Sequence, residues 1–324
     1  MKSLALGLFY VVTFLYLGTG CADLLVTAPK IQSEKSALES FDSSITLCDL
    51  DWVRRHLKAY PQILKKGNWH WPPLYRAVGM NHVELAQILL DAGADPNQLN
   101  AIGNLPLHLA ATSDSAEMIE LLVRYGADIE KRDEISKSFG SKGYTALARA
   151  ARIGRAHAVR ALTKAGAKME YEREELSALH LAVSGAYIRK PVGLESRYTS
   201  DRRSIDVKVQ PCASGNIKVI DALIEAGAST DSLHFDCVSV LDTAIKHFDL
   251  PTIRHLLTKH KDRFDVNSPN FNGVLPLAMA IRSRVALSDT WGDRDGTIAF
   301  LVECGADTSR VPQYADYFKQ LKQE

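Results

Sequence analysis

The chain has 324 residues, of which 46% are hydrophobic and 24% are charged, and its net charge is +1. This composition is typical of a folded globular protein and excludes wholesale disorder, a collagen-like chain and a polytopic membrane protein. The near-zero net charge argues against nucleic acid as the main partner, because a protein that neutralises many phosphates needs a basic surface.

The first twenty residues form a segment of their own. Lys2 is followed by an uncharged, largely apolar run over residues 3–22, the pattern of a secretory signal peptide. Its end resembles the signal of bacterial lipoproteins and reads Leu17-Gly18-Thr19-Gly20-Cys21. In that family the cysteine becomes the lipidated N-terminus of the mature protein, although Gly18 stands where the family usually has leucine. The resemblance implies a signal peptide over residues 1–20, a lipid on Cys21 and an anchored position in the cell envelope, facing the periplasm.

Two alternatives remain open at the N-terminus. An ordinary signal peptidase could use Gly20 and Ala22 as its small residues and cut before Asp23. The uncharged run is also long enough to span a bilayer without being cleaved. Residues 21–41, in which Ser, Lys and Glu are scattered among few apolar residues, are interpreted as a tether.

Internal repeats decide the predicted fold. Six segments have Leu at their third position and Ala at their sixth, which places both on one helical face. These segments are residues 72–77, 105–110, 145–150, 177–182, 239–244 and 275–280. Pro at the second position of three of them is compatible with the start of a helix, where its missing N–H would have been unpaired.

A second pattern keeps a fixed distance from the first. The interval between the Leu and a following glycine is identical in the first three segments, from Leu74 to Gly93, from Leu107 to Gly126 and from Leu147 to Gly166. The interval is much longer from Leu179 to Gly227 and somewhat longer from Leu277 to Gly305, which indicates a large and a small insertion. In the fifth segment the glycine position is occupied by His260. Since glycine supplies the left-handed conformation that ends a helix, His260 must carry strain or end its helix differently.

Both patterns resemble the Thr-Pro-Leu-His-x-Ala and Gly-Ala-Asp signatures of ankyrin repeats. The resemblance covers about residues 42–311 and implies an all-α solenoid of about six to seven helix-turn-helix units with short hairpin loops. Leu50, Val53 and Leu57 predict an incomplete capping unit before the first clear one. Residues 312–324 are expected to form a C-terminal tail.

Departures from the repeat are the expected partner-binding regions, because insertions map to loops and often to the binding face. They lie around residues 131–143, 185–213 and 283–295. The largest is rich in Arg and Tyr, residue types that dominate interface energies. The candidate partner contacts are Tyr187, Arg189, Lys190, Arg197, Tyr198, Arg202, Arg203, Trp291 and Arg294. A solvated loop without a ligand is the competing interpretation.

The sequence carries no recognisable catalytic motif, whether for nucleophilic, nucleotide-binding or zinc chemistry. His108 and His180 occupy the histidine of the ankyrin signature, and the resemblance implies structural hydrogen bonds for both. The acidic loop with Asp289, Asp293 and Asp295 lacks the glutamate that an EF-hand requires. We therefore predict no catalytic residue, no cofactor, no metal site and no small-molecule substrate.

The cysteines other than Cys21 give little support for disulfides. Cys48 and Cys212 lie four units apart, about 40 Å if stacked helices are ~10 Å apart, which is beyond disulfide reach. Cys304 matches Ala92 in the repeat and is expected to be a small core residue. A bridge between Cys212 and Cys237 stays open.

The predicted function is a non-enzymatic protein–protein interaction scaffold whose partner is another protein. The resemblance implies this, because ankyrin stacks bind partners through their hairpin loops and first helices. The lipoprotein signal adds a membrane anchor, and some bacterial ankyrin proteins of this kind resemble periplasmic immunity proteins. An immunity-type binder of a secreted toxin or effector is therefore the finer expectation. The alternative is a soluble, secreted ankyrin-repeat protein that binds a target-cell protein.

Overall fold

The computed structural model describes residues 34–66, 69, 71–134, 143–171, 176–184, 213–230, 239–247, 249–270, 272–282, 294–315 and 318. Over these residues all regular structure is helical. The α-helices are α1 Glu34–Leu47, α2 Leu50–Ala59, α3 Ile63–Lys66, α4 Pro73–Gly79, α5 Val83–Asp91, α6 Pro106–Thr112, α7 Ala116–Arg124, α8 Ala146–Ile153, α9 Ala156–Lys164, α10 Ala178–Ser184, α11 Ala213–Glu225, α12 Val240–Lys246, α13 Leu250–Lys259, α14 Pro276–Arg282 and α15 Arg294–Glu303. Two short 3-10 helices follow at Thr308–Arg310 and Pro312–Tyr314.

Six helix pairs, from α4–α5 to α14–α15, form two layers. The first helix of each pair packs against the first helix of the next, and the second helices do the same. We call these the first-helix layer (α4, α6, α8, α10, α12, α14) and the second-helix layer (α5, α7, α9, α11, α13, α15). The predicted all-α stack of helix-turn-helix units is confirmed, and we number the units 1 to 6.

The first helices begin where the sequence supplies a start signal. Pro73, Pro106 and Pro276 lie at the first position of their helices, where no backbone donor is needed. In unit 3 the Thr145 side chain instead accepts a hydrogen bond from the Ala148 N–H at 3.1 Å. In unit 5 Ser239 and the N3 residue form a capping box. A first-position proline or a capping side chain therefore begins the same kind of first helix.

The second helices end in two ways. Five are followed by a glycine whose φ lies between 86° and 92°, the left-handed region that a Cβ disfavours: Gly93, Gly126, Gly166, Gly227 and Gly305. In unit 5 the helix runs to Lys259 and His260 is its cap, with φ −115° and ψ 30°. His260 thus ends its helix differently and does not adopt the glycine conformation, which is one of the two predicted outcomes.

One continuous apolar core runs along the stack. The leucines at the repeat position of the first helices, such as Leu107, Leu147 and Leu179, are fully or almost fully buried between the two layers. Each buried leucine of this kind contributes about 2 kcal/mol through loss of apolar surface from water. Stability thus accumulates unit by unit, as expected for a repeat stack.

The N-terminal end differs from the predicted tether. Residues 34–41 belong to α1, and Phe41 and Ile45 in this helix are completely buried. Leu38 precedes them at helical spacing, so α1 presents an apolar stripe to the end of the stack. Arg76 of α4 forms an ion pair with Asp42, which fixes α1 in place. Residues 21–33 lie outside the described residues.

The predicted capping unit is present with α2 as its second helix, and α1 takes the place of its first helix because it packs against both α2 and α4. Val53 of α2 is completely buried, and Trp69 packs its ring 6.2 Å from that of Phe41. At the other end, Val311 is 2% exposed and Tyr314 packs against the core, so the start of the predicted C-terminal tail covers the last unit. Among the helices described, none combines the length and apolar character needed to cross a membrane.

Candidate functional site

A buried polar cluster joins units 2 and 3 at the base of the hairpin loops. Its centre is Asp133, which is completely buried and lies in the loop after α7. The Arg149 Nη2 of α8 lies 2.7 Å from the Asp133 Oδ2, and its Nη1 donates to the Asn104 Oδ1 at 2.9 Å. We call Asn104, His108, Asp133 and Arg149 the hairpin network. A charged pair so enclosed holds its two loops in one geometry, because either partner alone would be an unpaired buried charge.

His108 completes the hairpin network without carrying a charge. Its Nε2 donates to the Tyr144 carbonyl oxygen of the next unit at 2.7 Å. Burial, with the nearby Arg149 charge as the second cause, lowers the pKa of His108 from 6.5 to about 4. His180 of unit 4 likewise hydrogen-bonds Ser177, at 2.8 Å between Nδ1 and Oγ. The predicted structural role of both histidines is confirmed.

A second cluster lies in the second-helix layer between units 4 and 5. The His255 Nε2 and His260 Nε2 lie 2.7 Å and 2.8 Å from the same Asp221 Oδ1. The Lys259 Nζ lies 2.6 Å from the other oxygen, Oδ2. The two imidazole rings stand edge to face with centroids 5.4 Å apart. We call these four residues the Asp221 cluster.

The Asp221 cluster is shielded from water but not closed. The side chains of Asp221, His255 and His260 are 14%, 17% and 12% exposed, whereas Lys259 is 51% exposed. Partial burial acts to raise the pKa of Asp221, but hydrogen bonds from Lys259, His260 and His255 outweigh it and hold that pKa at about 2. The carboxylate is therefore ionised at any physiological pH. Its Oδ1 and the two imidazole nitrogens lie within 4.8 Å of one another, an arrangement that could hold a metal ion.

Sequence reasoning missed the Asp221 cluster, although the signal was present. His255 and His260 both stand where the other units have a different kind of residue, and both departures fall in α13 or at its end. Asp221 belongs to the preceding unit, and only the packing of α11 on α13 brings it to them. Aligning every position of the second helices would have identified the two histidines but not their carboxylate partner.

Most of the predicted partner contacts lie outside the described residues. These are Tyr187, Arg189, Lys190, Arg197, Tyr198, Arg202, Arg203 and Trp291, together with the predicted lipid site Cys21. Arg294 is described, and its Nη2 donates to the Ile281 carbonyl oxygen at 2.6 Å. This bond joins the last turn of α14 to the start of α15, so Arg294 has an internal role in unit 6.

The loop predicted around residues 131–143 is described only at its two ends. The Lys131 Nζ donates to the Asn97 carbonyl oxygen at 3.2 Å, and the Arg132 Nη1 donates to that of Gly143 at 3.0 Å. Lys131 is therefore used to hold the neighbouring hairpin, and Arg132 to hold the two ends of its own loop together. Of the described cysteines, Cys48 and Cys304 are half-buried free thiols; Cys212 and Cys237 fall outside the described part of the chain.

Comparisons with known proteins agree with this geometry. The family model of ankyrin repeats (3 copies) matches residues 48–133. The ankyrin repeat domain of Bcl-3 has the same fold, with a TM-score of 0.57 at 20% sequence identity, and the match covers 81% of this chain and 97% of that one. Ankyrin repeats are therefore identified over residues 48–133, and the described stack has the fold of an ankyrin repeat domain.

Curated relatives match over short segments. The human transient receptor potential cation channel subfamily A member 1 is 37% identical over 70 residues, which is 22% of this chain and 6% of the channel. An ankyrin repeat protein of Rickettsia felis is 46% identical over 54 residues, 15% of this chain and 24% of that protein. The chain thus spans less than a quarter of the length of either relative.

Proposed function

We propose that this protein is a non-enzymatic protein–protein interaction scaffold, held in the bacterial cell envelope by a lipid on Cys21. The observation that carries the scaffold role is the hydrogen bonding between two neighbouring hairpins, those that contain Gly103 and Glu134. The Glu134 N–H donates to the Gly103 carbonyl oxygen of the neighbouring hairpin at 3.0 Å, and the buried pair of Asp133 and Arg149 lies beneath them. Loops fixed in this way lose little entropy when a partner binds.

One hairpin presents an apolar contact at its tip. Ile102 is 42% exposed, in a turn whose Asn100 side chain accepts hydrogen bonds from the Ile102 and Asn104 N–H groups at 3.1 Å and 2.8 Å. An exposed branched side chain on a fixed turn is suited to insertion into a pocket of another protein. The ankyrin-repeat fold, typically a non-catalytic interaction module, is consistent with this role.

The finer proposal is an immunity-type binder that neutralises a secreted toxin or effector. It is supported by the lipoprotein-like end of the signal segment at Cys21 and by a repeat scaffold that binds proteins. The second candidate is a soluble secreted binder of a target-cell protein, which cleavage before Asp23 would favour. The proposed contact region is the insertion around residues 185–213, between α10 and α11.

The anchor is tested by the intact mass and N-terminal chemistry of the mature protein from its native host. A diacylated or triacylated Cys21 is expected and would direct partner capture to envelope extracts. An unmodified N-terminus at Asp23 would support the secreted alternative. An intact Met1 would contradict both proposals and leave an uncleaved membrane anchor.

The binding region is tested on the partner captured by cross-linking in the native host. Deletion of residues 186–211 should weaken binding at least about tenfold, and deletion of residues 284–292, which removes the weaker candidate contact Trp291, should weaken it less. Ile102→Asp probes the hairpin tip in the same assay. Full affinity after the first deletion would show that the contact region is assigned wrongly, and full affinity of Ile102→Asp would contradict binding through the hairpin tip.

A further inference from the structure

Unit 5 departs from the repeat twice within its second helix. Five residues before the terminal glycine position, the other units have buried apolar residues, whereas unit 5 has His255. The apolar residues are Ile88, Leu121, Ala161, Ala222 and Phe300. At the glycine position itself unit 5 has His260. Each substitution has a cost for the fold, because the first removes apolar burial and the second removes the residue that ends a helix at no steric cost.

Both departures converge on one carboxylate oxygen. Asp221 stands six residues before its terminal glycine, as Glu120 does in unit 2. Glu120 meets a single cation of the next unit, the Lys164 Nζ at 3.2 Å. Asp221 already has a lysine partner in the next unit, Lys259, at 2.6 Å from Oδ2, although Lys259 stands one residue nearer the glycine position than Lys164 does. The two imidazoles on Oδ1 are therefore additional to what the contact between units requires.

We propose that Asp221, His255 and His260 form a binding site for a divalent transition-metal ion, with zinc the best fit to the donors. Two imidazole nitrogens and one carboxylate oxygen are the ligand types that zinc accepts, and sites with three protein ligands keep a position for water or a further ligand. Calcium and magnesium fit poorly because they prefer oxygen ligands. The three side chains are 12–17% exposed, so the cluster is not fully buried.

Lys259 does not occupy the site. Its ammonium binds the Asp221 Oδ2, whereas both histidines face Oδ1. A partner on the outer oxygen of a ligating carboxylate fixes its orientation, as such partners commonly do in metal sites. Its positive charge also limits the affinity, because Lys259 and the metal ion would repel each other.

A metal ion at this site would bridge α11 and α13 and so join units 4 and 5. Asp221 lies eight residues after Ala213, the residue at which α11 begins and the insertion of unit 4 ends. Metal binding would therefore stiffen the side of the stack from which that insertion returns. The inference does not depend on the proposed scaffold function or on the anchor.

The test is a calorimetric titration of zinc chloride into the full chain, expressed without a histidine tag. One saturable site per chain is expected. His255→Leu and His260→Gly insert residue types that the other units use at these positions, so both should fold, and each should weaken zinc binding at least about tenfold. His157→Gln is the matched control, because His157 meets a carboxylate, Asp114, at 2.9 Å but lacks a second imidazole there; it should leave binding unchanged.

A thermal melt checks the same site by its effect on the stack. Zinc should raise the melting temperature of the wild type more than that of the variants, since stabilisation by the ion depends on its affinity for the folded state. Asp221→Asn, which keeps the side-chain shape, serves if either histidine variant fails to fold. No saturable zinc binding by the wild type, or a loss below tenfold in the folded variants, would overturn the proposal.

Discussion

The hairpin network and the Asp221 cluster solve the same problem with different chemistry. Each places one carboxylate between two neighbouring units, where one or more basic groups of the next unit bind it. Asp133 is completely buried and is bound by a planar guanidinium that is itself 13% exposed. Asp221 is 14% exposed and is shared by two imidazoles and a half-exposed ammonium. The completely buried Asp133 keeps its guanidinium partner. In the Asp221 cluster, by contrast, the imidazoles can give up a hydrogen bond to ligate an ion.

Of the variants that test this comparison, Asp133→Ala should lower the free energy of unfolding most. Removing the carboxylate leaves the Arg149 charge buried without its counter-ion, which costs about 3–5 kcal/mol. Denaturant unfolding followed by circular dichroism measures this loss. The control is the double variant Asp133→Ala/Arg149→Leu, which inserts the residue that units 2 and 4 have at this position, as Leu109 and Leu181. It should recover much of the loss; a cost below about 1 kcal/mol for the single variant would show that the pair is not structural.

Acid provides the second test of the hairpin network. The unfolded His108 takes up a proton near pH 6.5, but the folded ring does so only near pH 4. The unfolded state therefore binds more protons in this window, and stability falls as the pH drops from about 6.5 to 4. A shift of this size corresponds to a loss of the order of 3 kcal/mol. Urea unfolding at pH 7, 6 and 5 measures the slope. His108→Gln should flatten it, and equal slopes for both proteins would contradict a buried neutral ring.

Much of this molecule could be predicted from the sequence because its units repeat. The equal intervals from Leu74 to Gly93 and from Leu107 to Gly126 report two helices of fixed length, and the structure has those helices. Where one position departed, at His260, the sequence left two outcomes open, strain or a different helix end, and the structure has the second. The repeat therefore predicted both the regular helix pairs and the position, His260, at which one helix ends differently.

The parts that could not be predicted depend on contacts between units. α1 was missed because Leu38, Phe41 and Ile45 form an apolar stripe too short to distinguish from a tether until the end of the stack is there to cover it. The link from Asp221 of unit 4 to two histidines of unit 5 arises from the way α11 packs on α13. A repeat pattern specifies positions within one unit, whereas these features depend on which residues neighbouring units bring together.

Lys259→Ala sharpens the contrast between a structural pair and a binding site. If Lys259 only held the stack together, its loss would weaken the Asp221 cluster in every assay. In the proposed metal site, the variant removes a like charge beside the ion and should tighten zinc binding about fivefold, or about 1 kcal/mol. Calorimetric titration of zinc into the variant measures the change. Weaker zinc binding than in the wild type would mean that orientation of the carboxylate outweighs repulsion.

Among these variants, Glu120→Ala should change the free energy of unfolding least, which makes it a useful reference. Glu120 and Lys164 lie in the same layer as the Asp221 cluster, but their side chains are 50% and 79% exposed. An exposed ion pair of this kind contributes about 0–1 kcal/mol, because water screens it and two long side chains must be ordered. Denaturant unfolding of Glu120→Ala and of Asp221→Asn, in metal-free buffer, compares the free energy lost with a simple ion pair between units with that lost with the Asp221 cluster. A larger loss for Glu120→Ala would mean that the second-helix layer depends on its simple pairs, and the extra imidazoles of unit 5 would then have no measurable part in holding units 4 and 5 together.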